Sequence, residues 1–207
     1  YQRAPYIIAP AHSMDIKQVS AHGCELATED SIEIIFASPE DIHLNSMMLA
    51  SNGKSPGSYT YEQRDGNKVH VIVRFPFSGE YDLFIYGRPE NLDYGVLVAQ
   101  YKINTDWRLK GSKEFPEVHG TFKNKNVTLF YPLNGRLIRG REVPFKLNVP
   151  DAEKVAVVCD DEWTQLTRQP DGTFSDKIKL DLRKRSVHVV ARFPGQREYS
   201  GLVSYDL

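Results

Sequence analysis

The sequence has few of the features that mark membrane proteins, nucleic-acid-binding proteins or disulfide-stabilised secreted domains. Its 207 residues include two cysteines and carry a formal net charge of −1. A balanced charge argues against binding to nucleic acids or anionic membranes through bulk electrostatics. No apolar run approaches the ~20 residues that a helix needs to cross a bilayer. We therefore expect neither a nucleic-acid partner nor membrane insertion.

The two cysteines, Cys24 and Cys159, lie in different halves of the chain, so neither half can form an internal disulfide. A secreted sandwich domain of this size commonly carries one. The pattern favours two reduced thiols and therefore a cytoplasmic location. A Cys24–Cys159 bridge, or a glycan on the sequon at Asn126, would instead favour an extracellular protein.

Sequence motifs for catalysis, phosphate binding and metal binding are missing as well. We find no glycine-rich phosphate loop and no GxSxG nucleophile motif, and the six histidines show no metal-ligand spacing. Cys24 lies two residues after His22, but no further ligands accompany this pair at a recognisable spacing. The acidic run at 160–162 lacks the alternating oxygen ligands of a calcium loop, and we interpret it as a solvated turn. We predict no catalytic residue, no metal, no cofactor and no enzyme activity in this fragment.

Strands and turns are what the sequence does contain, most clearly between Val143 and Phe174. Apolar residues occupy every second position over 143–149, the pattern of a half-buried strand. The apolar run at 155–159 predicts a central strand, in which Cys159 is an inert core thiol. Pro170-Asp171-Gly172 predicts a tight turn, because proline presets φ and glycine tolerates a positive φ. Strands recur every ~8–12 residues without helical periodicity, so we predict an all-β chain built as a sandwich.

The first half of the chain contains a fainter copy of this stretch. Aligning Pro39 with Pro150, an offset of about 111 residues, places the alternating run 32–36 on the run 143–147. Aligning the two Asp-Gly turns, an offset of about 106 residues, places the run 81–85 on the run 187–191.

One closer match is set aside. VHVIVRFP at 69–76 and VHVVARFP at 187–194 are nearly identical, but they need an offset of about 118 residues. This offset disagrees with the other anchors, so we interpret the likeness as a coincidence between strands at different places in the fold. The repeat predicts a first domain at 1–104, a short linker at 105–114 and a second domain at 115–207. A polar linker this short limits how far the domains can swing.

Six segments of the second domain carry a family resemblance: Phe115-Pro116-Glu117-Val118, the VPFKLNVP strand, the VAVV run, Glu162-Trp163-Thr164-Gln165-Leu166, Asp171-Gly172-Thr173-Phe174 and Tyr199-Ser200-Gly201-Leu202. In them the domain resembles the immunoglobulin-like module downstream of the transglutaminase-like domain in the kyphoscoliosis peptidase and hillarin family. The first domain resembles a more diverged copy. The resemblance implies two tandem immunoglobulin-like antiparallel β-sandwich domains in a larger, cytoskeleton-associated protein. It also implies an upstream transglutaminase-like domain in the same chain, whose catalytic Cys, His and Asp map to no position here.

We therefore predict a non-catalytic module that binds a protein partner, which the resemblance implies is cytoskeletal. The predicted binding residues are Trp107 in the linker and a basic stretch at Arg136, Arg139 and Arg141, continued by Lys123 and Lys125, because Trp and Arg dominate interface energetics. For the basic stretch, a solvated strand edge protected by charge is the alternative interpretation. Trp163, which follows a central strand, is expected in the core.

The sequence is also compatible with two other functions. The first is a module that positions substrate for a transglutaminase-like or protease domain. The second is an extracellular adhesion or carbohydrate-binding sandwich.

Overall fold

The computed structural model describes residues 6–7, 9–21, 23, 25–28, 30–106, 111 and 113–207. Their backbone is mostly extended, and the all-β prediction is confirmed. The described residues also contain helices α1 (Ala9–Ser13) and α2 (Gly120–Asn124), which the sequence analysis did not predict. A five-residue helix is too short to display a 3.6-residue apolar period.

The strands of the first half are β1 (Tyr6–Ile7), β2 (Lys17–Gln18), β3 (Glu25–Thr28), β4 (Ser31–Ala37), β5 (Ile42–Ala50), β6 (Thr60–Asp65), β7 (Lys68–Arg74), β8 (Glu80–Pro89) and β9 (Val96–Thr105). Those of the second half are β10 (Glu117–Val118), β11 (Thr128–Tyr131), β12 (Glu142–Asn148), β13 (Lys154–Cys159), β14 (Glu162–Gln165), β15 (Thr167–Arg168), β16 (Phe174–Lys179), β17 (Val187–Arg192) and β18 (Ser200–Tyr205).

The chain divides into two compact units, residues 1–113 and 114–207. In the first unit a four-stranded sheet has the order β2-β4-β7-β6, and a five-stranded sheet has the order β1-β9-β8-β5 with β3 also paired to β9. The edge of β9 is shared, because β1 pairs antiparallel with residues 99–100 and β3 pairs parallel with residues 102–105. This parallel pair is a local exception to the predicted antiparallel pattern.

The second unit has a similar plan, with β13 in the place of β5 and a further edge strand, β14, beside β13. Its four-stranded sheet has the order β11-β12-β16-β15, and its five-stranded sheet has the order β10-β18-β17-β13-β14. A four-stranded sheet accompanied by a sheet built around β5, β8 and β9, or around β13, β17 and β18, is the immunoglobulin-like sandwich arrangement. The predicted fold class is confirmed.

Period-2 alternation builds the core of each unit. In β8, Tyr81, Leu83 and Ile85 are buried while the residues between them are half-exposed, and in β17 Val187 and Val189 are buried in the same way. Both runs come from the eighth of the nine described strands of their unit, as the internal repeat predicted.

Sheet topology also separates the two nearly identical segments. VHVIVRFP begins in β7, which pairs with β4 and β6 in a four-stranded sheet. VHVVARFP begins in β17, which pairs with β13 and β18 in a five-stranded sheet. The two segments therefore hold different places in the fold, as the disagreement of their offset indicated.

Candidate interaction surface

The outer face of the five-stranded sheet of the second unit carries an exposed tryptophan. Strand β14 forms the edge of this sheet, and all four of its residues are exposed. Trp163 pairs with Val158 of β13, and Val158 pairs with His188 of β17. Because Val157 and its alternate neighbours face the core, these three side chains share the opposite face of the sheet. Trp163 is 53% exposed.

Tyr199, just before β18, lies against this tryptophan. The two rings are 5.0 Å apart between centroids with an interplanar angle of 64°, an edge-to-face arrangement. The Gln165 side-chain amide donates a hydrogen bond to the Tyr199 hydroxyl (3.0 Å), and the Arg192 guanidinium lies 6.0 Å from the Tyr199 ring centroid. We call Trp163, Tyr199, Gln165 and Arg192 the aromatic surface.

The expectation that Trp163 lies in the core is wrong. It rested on the strand that precedes it, and β13 is indeed buried, but β14 is the last strand of its sheet. Leu166 is the next residue whose side chain enters the core, at 5% exposure. The signal that could have located the surface is the run of polar residues around Trp163, which is typical of a solvated edge strand.

The acidic turn before β14 is a structural turn. The Asp160 carboxylate accepts hydrogen bonds from the backbone N–H groups of Ser186 (3.0 Å) and Arg185 (3.2 Å), and these bonds lower the pKa of Asp160. Glu162 forms an ion pair with Lys184 at 2.9 Å. Both contacts tie the turn between β13 and β14 to the loop before β17. They leave Asp161 exposed at the start of the edge strand.

A second polar cluster lies on the same sheet. The Ser204 hydroxyl is 2.6 Å from His119 Nε2 and 2.8 Å from His188 Nδ1, so one hydroxyl is hydrogen-bonded to two imidazole rings. All three residues are half-buried. The cluster connects β17, β18 and the residue that follows β10, which fixes the outer face beside the aromatic surface.

The predicted basic stretch does not form one surface. Arg136, Arg139 and Arg141 are exposed in the segment between β11 and β12, and none makes an ion pair with a described residue. The Arg141 carbonyl accepts a hydrogen bond from Leu180 N, at the end of the unit where β17 begins.

Lys125 instead lies at the opposite end of the second unit. Its ammonium is 5.0 Å from the ring centroid of Phe193, the residue that follows the end of β17. The six residues of β17 separate Lys125 from the arginines. The three arginines remain a predicted binding site, without the continuation by Lys123 and Lys125 that the sequence suggested.

Five other positions named in the sequence analysis have different outcomes. Trp107, His22 and Cys24 lie outside the described residues. Cys159 is buried at 5% exposure, and burial raises the pKa of its thiol, which agrees with an inert core cysteine. Asn126 of the sequon is exposed.

The first unit has an open depression of about 290 Å³ near the ends of β8 and β9. Asp82, Lys102 and Glu25 lie side by side across three strands and alternate in charge, as is common on a solvated sheet face. The described residues hold no cluster of three or more His, Cys, Asp or Glu side chains suited to a metal ion. Both of their helices have five residues, too few to span a membrane.

Comparison with known proteins identifies the family. The model described as "KY-like, immunoglobulin-like domain" matches residues 2–116. The chain belongs to this family. The predicted relationship is thereby confirmed, although the match falls on the first unit, whereas the segments that suggested it lie in the second. Immunoglobulin-like domains of this family are generally non-catalytic.

Human kyphoscoliosis peptidase is 27% identical to the chain over 169 residues, which cover 76% of the chain and 23% of that protein. A share of 76% exceeds that of either unit, so the alignment includes residues of both. Among solved structures, neural ectodermal development factor IMP-L2 aligns over 92% of each chain at 10% identity. Its TM-score of 0.30 is too low to establish a common fold.

Proposed function

We propose that this chain is a protein-interaction module and that the aromatic surface of its second unit is the docking site. The exposed pair Trp163–Tyr199 supports this proposal, because Trp and Tyr are the residues on which protein interfaces most depend. A tryptophan buries on the order of 200 Å² when it is fully covered. Half of that area removed from water is worth roughly 2–3 kcal/mol.

The surroundings of Trp163 distinguish it from other exposed apolar residues. Single exposed hydrophobic side chains are normal on a protein surface. Trp163 instead lies against a second ring and is paired with the buried Val158, with Arg192 as a cation near Tyr199. Apolar rings surrounded by polar groups are the composition of an interface centre and rim.

In the cellular context, we propose that the chain is a non-catalytic part of a larger cytoplasmic protein that has a transglutaminase-like domain and associates with the cytoskeleton. The family match and the human relative, of which the chain spans 23%, support this context. The partner is accordingly a protein, and a cytoskeletal partner is the first to test.

Affinity capture from a cell lysate tests the docking site. Trp163→Ala is compared with the wild-type chain and with Phe130→Ala, a matched control because Phe130 is a 45% exposed aromatic residue on the opposite sheet. A third bait reverses Arg136, Arg139 and Arg141 to Glu. We expect the captured proteins to be lost with Trp163→Ala and kept with Phe130→Ala. Loss with the arginine bait alone would move the docking site to the basic segment and contradict the proposal.

A second function is favoured by one observation, the name of the human relative as a peptidase. In this alternative the aromatic surface positions substrate for a catalytic domain of the same protein. Activity of the longer protein on its substrate would then fall with Trp163→Ala through a higher KM and an unchanged kcat.

A further inference from the structure

The backbone of β14 has a free hydrogen-bonding edge. Leu166 N donates to Val155 O at 2.8 Å, which makes residues 155 and 166 a hydrogen-bonded pair in the antiparallel register of β13 and β14. Hydrogen-bonded pairs alternate along such a ladder. Trp163 and Gln165 are therefore in the non-hydrogen-bonded pairs, and their N–H and C=O groups point away from β13. Two donors and two acceptors thus face solvent beside the aromatic surface.

The first unit has no counterpart of β14 among its described strands, and the edge on that side of its sheet is closed by side chains. Strand β5 is the edge of the five-stranded sheet there, and it receives two side chains from β6. The Glu62 carboxylate accepts a hydrogen bond from Ser46 N (2.8 Å), and the Arg64 guanidinium donates to Ile42 O (2.6 Å). Side chains that satisfy edge groups in this way prevent another strand from pairing there.

In the second unit no described side chain bonds to the outer edge of β14. The segment that follows, β15, directs its side chains elsewhere: Thr167 donates to Asp176 (3.0 Å), and Arg168 lies over the Phe174 ring (5.6 Å). The two five-stranded sheets therefore end differently on this side: β5 is closed by side chains in the first unit, whereas the added strand β14 has an open edge in the second.

We propose that the open edge of β14 binds an extended peptide of a partner protein, which adds to the five-stranded sheet as an antiparallel strand. This inference rests on the proposed function and specifies its mode of binding. The backbone of an extended peptide offers acceptors and donors at the same spacing as the outward N–H and C=O groups of Trp163 and Gln165. An antiparallel peptide is expected because antiparallel pairing is more stable than parallel pairing.

The side chains around the edge define the peptide further. The peptide residue opposite Trp163 has its side chain on the same face as the indole ring, so this position is apolar or aromatic. In an antiparallel strand, the residue two positions later lies near Asp161, which is exposed and makes no ion pair in the described chain. That position is Lys or Arg. The ligand is thus an extended segment with an apolar residue followed, two positions on, by a basic one.

The test uses random dodecapeptides displayed on phage and selected on the 207-residue chain. Enriched peptides are synthesised and titrated against the wild-type chain, Gln165→Pro and Gln165→Ala. Proline removes an outward N–H that bonds to no strand, and it leaves the pairing with β13 intact. Alanine removes the same side chain, including its bond to Tyr199, and keeps the N–H. We expect Gln165→Pro to weaken binding about tenfold or more and Gln165→Ala to weaken it about twofold.

A second measurement changes the peptide and needs no substitution in the chain. The enriched peptide is resynthesised with N-methyl groups at the residues that pair with Trp163 and Gln165, which deletes backbone donors and leaves the side chains unchanged. Loss of binding of about tenfold supports strand addition. Unchanged binding of both the N-methylated peptide and Gln165→Pro, with loss in Trp163→Ala, would overturn strand addition while leaving the aromatic surface as a docking site. Failure to enrich any peptide on the wild-type chain over Gln165→Pro would also overturn it.

Discussion

Two buried tyrosines of the first unit differ in what their hydroxyl groups contact. Tyr81 is 2% exposed, and its hydroxyl donates to Phe77 O at 2.6 Å. Tyr101 is fully buried, and its hydroxyl has no hydrogen-bond partner among the described residues. A buried hydroxyl without a partner lowers the free energy of unfolding, because it gives up its hydrogen bonds to water.

The first prediction follows from this contrast. Tyr101→Phe should raise the free energy of unfolding of the chain by about 1 kcal/mol, because it removes a desolvated polar group. Tyr81→Phe should lower it by about 1 kcal/mol, since it leaves the Phe77 carbonyl without its donor. Urea unfolding followed by circular dichroism measures both. A loss of stability in Tyr101→Phe as large as in Tyr81→Phe would contradict this account of the Tyr101 hydroxyl.

Asp171 gives the second prediction, at the turn between β15 and β16. Its carboxylate accepts hydrogen bonds from the Thr173 hydroxyl (2.6 Å) and backbone N–H (3.0 Å) and pairs with Lys146, which together lower the pKa of Asp171 to about 2. A folded-state pKa below the unfolded value of ~3.9 stabilises the fold above that pH, and the stabilisation is lost as pH falls toward 2. We expect Asp171→Asn to be less stable than wild type at pH 6, with a difference that shrinks between about pH 4 and 2.

Urea midpoints of both proteins across this pH range measure the effect. A difference that stays constant from pH 6 to the acid limit would show that the Asp171 charge does not stabilise the fold.

At the residue scale, the sequence was informative where local pattern and structure depend on the same few residues. The Gln169–Gly172 turn forms with a 2.9 Å bond from Gly172 N to Gln169 O and a φ of 83° at Gly172, as its composition predicted. The buried Cys159 was predicted by alternation. The prediction that Trp163 is buried was wrong, because alternation shows which face of the sheet a side chain occupies. Alternation does not show whether another strand or layer covers that face.

At the scale of elements, the side chain that closes the edge of β5 leads to a prediction about stability. Arg64 of β6 donates to three carbonyls of the segment that leads into β5, those of Ser38 (2.9 Å), Pro39 (3.0 Å) and Ile42 (2.6 Å). Arg64→Ala should lower the free energy of unfolding by about 2–3 kcal/mol, because hydrogen bonds from a charged donor are lost and half-buried carbonyls lose their partner.

Differential scanning calorimetry of the whole chain measures this loss, and Arg168→Ala is the matched control. Arg168 occupies the corresponding strand of the second unit but contacts a ring and donates to no carbonyl of a described residue, so its replacement should cost under about 1 kcal/mol. Equal effects of the two variants would show that Arg64 does not close the edge of β5.

At this scale the repeated anchors could predict which strands of the two halves correspond, as β8 and β17 do. The open or closed state of an edge could not be predicted in this way. It depends on whether Glu62 and Arg64 reach a neighbouring strand, a distance in three dimensions that residue spacing does not contain.

On the scale of the whole molecule, the two compact units lead to a prediction about fragments. Glu114 O accepts a hydrogen bond from Gly135 N at 2.8 Å, and Phe115 is 2% exposed within the second unit. A fragment that begins at residue 114 should fold by itself. A fragment that begins at 120 lacks Phe115 and β10, and should be less stable by about 3 kcal/mol or more, the usual effect of deleting a buried phenylalanine.

Proton–nitrogen NMR spectra of the two fragments, followed by urea unfolding, test this prediction. Phe115→Ala in the longer fragment is the control that separates the core contact from the loss of β10. A disordered spectrum for residues 114–207 would contradict independent folding of the second unit.

If the aromatic surface binds a partner protein, position 163 contacts that protein in the complex. Site-specific photo-crosslinking detects this contact, with benzoylphenylalanine placed at position 163 and, as a control, at position 130 on the opposite sheet. We expect discrete protein adducts at position 163 that excess unmodified chain competes away, and none of them at position 130. Absence of adducts at 163, or the same adducts at both positions, would contradict it.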